Sequence, residues 1–200
     1  MNQVQNAKGF TLIELLVAVA ISSIALLLVT QVFISTNKMN TIQENVASVQ
    51  QDIRAAMDIM STDIMMAGLD PSGSAADAGF VNDGTDDDDT DSNSISLKYD
   101  HDGDGVSEVD RCYYYDIANQ RLMVRNGGGS QPLTTDDTIS SVNFSYTLAD
   151  GSIDATPDVN GNLADIRLIT VQICGKITGT YAADHPNTYC FSRTIKPRNL

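Results

Sequence analysis

Basic residues are scarce in this chain of 200 residues. Twelve Lys and Arg stand against 26 Asp and Glu, a formal net charge of −14. That balance excludes a nucleic-acid binder acting alone, which needs basic patches to displace counterions. Histidine and cysteine are also scarce, two and three residues widely spaced, so no zinc ligand set can be assembled. No GxSxG, HExxH, phosphate-loop or dinucleotide fingerprint occurs, and His101 and His185 both fall in predicted loops. Nothing therefore points to an enzyme. Proline and glycine are absent from Phe10 through Ala67, so nothing there interrupts a helix, and Gly68 and Pro71 then end it. The simplest reading is one helix of about 58 residues, roughly 85 Å long.

Hydrophobic residues make up 42% of the chain, and they are unevenly spread. Residues 1–9 are polar with one positive charge, Lys8, and Leu15 to Asn37 carries no charge over 23 residues. Such a helix spans a bilayer. Lys8 on the short side favours keeping that end cytoplasmic, with the remainder across the membrane. A secretory signal peptide would have a shorter apolar core and a small-residue cleavage site after it. A plain anchor leaves Glu14 unexplained, since a carboxylate inside an apolar span costs roughly 2.5–3.5 kcal/mol at the centre and less near an end.

The run Lys8-Gly9-Phe10-Thr11-Leu12-Ile13-Glu14, followed by an unbroken apolar helix, resembles the class III signal of type IV prepilins and pseudopilins. The resemblance implies that a prepilin peptidase cuts after Gly9 and that the amine of Phe10 is then methylated. Glu14 becomes the fifth residue of the processed chain. In a helix bundle it can pair with a neighbour's terminal amine, which offsets both desolvation penalties and sets axial register. The main subunits of such filaments often carry a helix-breaking proline in the apolar half. Its absence here fits a minor pilin or pseudopilin.

Beyond the apolar run, Met39, Ile42, Val46, Val49, Ile53, Met57, Met60 and Ile64 recur at three- and four-residue steps, an amphipathic stripe that predicts a core face. The stretch Asp70–Asp91 holds eight Asp and no basic residue, and predicts a solvated acidic loop. Residues 70–110 contain 13 of the 26 acids and one basic residue, −12 of the −14. Within them, Asp100, Asp102 and Asp104 alternate ahead of Gly105, as at the start of an EF-hand calcium loop. Val106 would offer a carbonyl, with Glu108 and Asp110 as further ligands. Arg111 stands where the bidentate acid belongs. Two readings stay open, a bound Ca2+ or a plain hairpin turn between strand-like flanks.

Strand-like segments follow at Ser94–Tyr99, Val109–Ile117, Arg121–Arg125, Ile139–Leu148, Asp165–Ile177 and Tyr189–Ile195, with short turns that imply an antiparallel sheet. The blocks DGDGVSEVDRCYYYDIANQRLMVRNGG, SVNFSYTLADG, LADIRLITVQI and RTIKPRNL resemble PilW-type minor pilins, related to J-type pseudopilins. The expected fold is α+β and type IV pilin-like, a long N-terminal helical spine packed on a C-terminal antiparallel sheet. Its parts are a leader over 1–9, a membrane or filament-core half-helix over 10–37, an amphipathic half-helix over 38–69, an acidic loop over 70–94 and a sheet domain over 95–200. In an extracytoplasmic setting Cys174 and Cys190, flanking a loop of 15 residues, are candidates for a disulfide. Cys112 pairing with one of them, or three buried thiols, are the alternatives.

The resemblance implies an inner-membrane, single-pass protein with a periplasmic domain, then a pilus subunit that primes or caps a filament. Its partners would be minor and major pilins, the prepilin peptidase and the assembly platform. A type II secretion pseudopilin and a calcium-dependent adhesive tip module are the alternatives. No cofactor other than possible Ca2+ is expected.

Overall fold

The computed structural model describes residues 9–82, 89–184 and 188–199. Residues 1–8 of the leader, Asp83, Asp86 to Asp88 and His185 lie outside them. The chain divides into two units, Met1–Gln43 and Glu44–Leu200. Helix α1 (Leu12–Met66) begins in the first and ends in the second.

From Leu12 on, the described part of the first unit is helix. Phe10 is 87% exposed, and every large apolar side chain from Leu12 to Ile34 is exposed as well. This part of α1 is long and apolar enough to cross a membrane. Two of its hydroxyls are satisfied within the helix, Ser23 donating to the Val19 carbonyl at 2.8 Å and Thr30 to that of Leu26 at 2.8 Å. That is how a hydroxyl is tolerated where water is absent. Met39, the first member of the predicted stripe, is exposed and belongs to this unit.

In the second unit, α1 supplies Val49, Ile53, Ala56, Met57, Met60 and Ile64 to the core. Each large side chain buried there stabilises the fold by about 1.5–3 kcal/mol. Strands β1 (Gly79–Phe80), β2 (Ser94–Tyr99), β3 (Val109–Asp116), β4 (Arg121–Asn126) and β5 (Gly129–Pro132) pair in that order as one antiparallel sheet. The remaining elements are β6 (Ile139–Leu148), β7 (Ile153–Asp154), α2 (Pro157–Asn160), β8 (Ile166–Lys176) and β9 (Thr188–Ile195). Their strands form a second sheet, ordered β7-β6-β8-β9.

The single sheet expected from the sequence is thus two. The chain leaves β5 at Pro132, and β6 pairs instead with β8, 27 residues or more away in sequence for most partners, as in Phe144↔Val171. Nothing local in the sequence specifies that choice. The side chains Ile95, Leu97, Tyr113 and Leu122 of the first sheet and Phe144, Tyr146, Ile169, Val171 and Ile173 of the second share the core with α1. The two-residue strands β1 and β7 are too short to show a period. β5 carries Gly129 and Pro132 at a sheet edge, where a missing amide donor is tolerated.

One glycine permits the helix to seat. A Cβ placed on Gly175 of β8 would lie 2.6 Å from both Ile53 Cδ1 and Val49 Cγ1 of α1. A glycine within a strand is a signal of close approach. Beside it, Cys174 and Cys190 are directly opposed across β8 and β9 and are disulfide-bonded. In the chain-entropy view, closing this loop stabilises the fold by about 3 kcal/mol. Cys112 is buried on β3 and lies outside that bond.

Candidate functional site

At the N-terminus, Thr11 precedes α1 and Glu14 is the third helical residue. The Glu14 Oε2 accepts the Thr11 backbone amide at 2.9 Å and the Thr11 hydroxyl at 2.9 Å, while the Glu14 amide donates to Thr11 Oγ1 at 3.4 Å. This is a reciprocal capping box, with a carboxylate at the positive end of the helix. The Thr-x-x-Glu spacing is visible in the sequence, so the cap was legible there. Gly9 and Phe10 are exposed, and nothing among the described residues lies within 4 Å of the position a Gly9 Cβ would take.

The acidic turn between β2 and β3 is built around Asp100, which is fully buried. Its carboxylate accepts the amides of Gly103 at 2.6 Å and Gly105 at 3.0 Å. Asp102 accepts the Asp104 amide at 3.1 Å, Asp104 that of Val106 at 2.9 Å, and Glu108 that of His101 at 2.8 Å. Carboxylate oxygens of Asp100, Asp102, Asp104 and Glu108 consequently lie within 4.8 Å of one another. Asp110 is outside this group. It sits on β3 and pairs with Lys98 at 3.6 Å, as does Asp77. Val106 is exposed.

A second turn packs on the first. The Asp70 carboxylate accepts the Ser72 hydroxyl at 3.0 Å and the amides of Gly73 and Ala75 at 2.8 and 2.9 Å. Desolvation works against its charge, but these bonds outweigh it and hold Asp70 below the usual carboxylate range. Pro71 and Ser74 approach so closely that a Cβ on Gly103 or Gly105 would meet them at 3.3 and 2.5 Å. Both glycines also have φ near +80° to +90°, where other residues are strained.

A buried ionic cluster fastens α1 to the first sheet. Asp63 is 4% exposed. Its carboxylate accepts the Arg111 guanidinium and the Tyr113 hydroxyl, with Tyr99 at 3.4 Å. Burial first, and then the hydrogen bond and charge of Asp63, push the Tyr113 phenol far above its ordinary value. The sequence does carry a signal for this cluster, an aspartate set between Met60 and Ala67 at helical spacing.

A long apolar N-terminal helix with an open Gly9-Phe10 junction and a capped Glu14, continued onto antiparallel sheets, is the arrangement of a type IV prepilin-like protein. Residues 4–30 match the prokaryotic N-terminal methylation motif. Residues 43–196 match the family described as prepilin peptidase-dependent protein B, and the chain belongs to that family. No curated protein matches the chain. Dependence on the peptidase places the protein in a pilus-type system.

Proposed function

We propose that this protein is a minor pilin, an assembly subunit that primes or caps a type IV pilus. The observation that carries the reading is the methylation-motif match over residues 4–30. Prepilin peptidase cuts between Gly9 and Phe10, and the new Phe10 amine is methylated. The exposed apolar side chains from Leu12 to Ile34 first lie in the inner membrane and then pack among the helices of neighbouring pilins. Before assembly the sheets face the periplasm, and the assembly platform draws the subunit into the filament. Glu14, oriented by Thr11, meets a neighbour's terminal amine and sets register. A priming or capping subunit is rare in the filament but limits its number. Deleting the gene should reduce pili per cell, and sheared pili should contain the protein far below the main subunit. Unchanged pilus number, or stoichiometric incorporation, contradicts the reading.

A second reading is favoured by the convergence of Asp100, Asp102, Asp104 and Glu108. In it the turn takes Ca2+, which rigidifies the acidic face for adhesion at a pilus tip. Calcium then raises the Tm of the full chain in detergent, and Asp102→Ala removes that shift. An unchanged melting curve rejects this reading and leaves the assembly role intact.

A further inference from the structure

The molecule is strongly acidic, yet its C-terminal end is basic. Arg193 lies on β9, and Lys196 and Arg198 follow it. Together they rim a cavity of about 590 Å³ beside α1, with Met65, Ile195 and Pro197 among its other lining residues. Ile195 and Pro197 are buried and Met65 half-buried, so the floor is apolar, whereas the three cations are exposed.

The tail is held in place. The Arg198 amide donates to the Met65 carbonyl at 3.3 Å, and the Asn199 side chain to that of Met66 at 3.5 Å. Arg193 is oriented by Asp58 at 2.7 Å and by the Ser61 hydroxyl at 3.1 Å. Lys196 and Arg198 have no carboxylate partner among the described residues. A basic residue on an edge strand guards against strand-to-strand aggregation. That accounts for Arg193, but Lys196 and Arg198 lie past the end of β9 at Ile195. Two exposed cations without an ion pair among the described residues, side by side on a backbone held against α1 in a chain of net charge −14, are complementary to an anionic partner.

We infer that this groove binds an acidic peptide segment of a partner protein. Carboxylates of the partner meet Lys196 and Arg198, and an apolar side chain between them rests on Met65 and Pro197. The inference stands on the groove alone and does not require the pilus reading. The test is fluorescence polarisation with the full chain in detergent, using a labelled peptide of alternating Glu and Leu. A Gln/Leu peptide of equal length and empty micelles are the controls. The Glu/Leu peptide should bind, and the Gln/Leu peptide and empty micelles should not match it. Lys196→Glu with Arg198→Glu should weaken binding at least tenfold, as should added salt. Both sites are exposed, so circular dichroism should show the variant folded. Lys196→Gln with Arg198→Gln should weaken it in the same direction. Equal binding by wild-type and charge-reversed protein overturns the inference. Tight binding of inorganic polyphosphate in preference to the peptide also overturns it, by showing that the groove selects charge alone.

Discussion

Removing the Asp63 carboxylate tests how α1 is fastened to the first sheet. Its side chain is 6% exposed, and that of Arg111 is 31% exposed. Asp63→Ala would leave the Tyr113 hydroxyl, in a fully buried residue, without its acceptor, a loss of about 1–3 kcal/mol. It would also leave the Arg111 charge unpaired. Breaking a buried pair costs about 3–5 kcal/mol, and the partial exposure of Arg111 lowers that figure because water screens it. The two penalties overlap, since they describe one carboxylate. We expect a total of about 3–4 kcal/mol, or roughly 10 °C in Tm for a domain of this size. Thermal unfolding of the full chain in mild detergent, followed by tyrosine near-ultraviolet circular dichroism, measures it. Arg111→Leu should cost less, and the double variant should cost less than the two single changes summed. A loss below about 1 kcal/mol for Asp63→Ala, or strict additivity, would refute the clamp, because a buried charged group in use cannot be that cheap to remove.

Further expectations follow from single features. Gly175→Ala should destabilise by about 1–3 kcal/mol through overpacking, and Ile53→Val, which removes the Cδ1 it meets, should recover part of that loss. Reducing the Cys174–Cys190 bond, or replacing both by serine, should cost about 3 kcal/mol and leave Cys112 unreactive to thiol reagents until unfolding. The phenols of Tyr99, Tyr113 and Tyr115 are raised by burial and by nearby Asp63 or Asp116. A raised folded-state value gives stability that is present below the unfolded phenol value of about 10 and is lost as pH climbs above it. Alkaline titration should therefore show the phenolates of these three tyrosines, resolved by Tyr→Phe difference spectra, forming together with loss of circular dichroism, and their formation in folded protein would contradict this.

Much of the fold could be read from the chain because the signals were local. The helix follows from the absence of Gly and Pro and from the stripe ending at Ile64. Alternation in Val142–Tyr146 and Ile166–Ile173 marks β6 and β8. The division into two sheets was not readable, since β6 pairs with a strand distant in sequence and no nearby residue marks β8 over β5 as its partner. Gly175 reads as a weak strand position until Ile53 is seen above it. Thr11 and Glu14 show the opposite case. Their spacing is legible as a cap, and the structure adds the local bond that orients the carboxylate. Asp63 is hard to single out in the sequence because the apolar stripe dominates its surroundings, although an acid on that face demands a buried partner. The acidic turn was readable as a turn with converging aspartates. The separate placement of Asp110 depends on its cross-strand pairing with Lys98, which sequence spacing does not reveal.

The central claim is that the chain is processed as a prepilin. Mass spectrometry of the protein isolated from its native membrane tests this directly. The account predicts an N-terminal peptide that begins at Phe10 and carries a methyl group on its amine. An intact Met1 in the membrane-bound protein, or cleavage after the apolar segment, would contradict it.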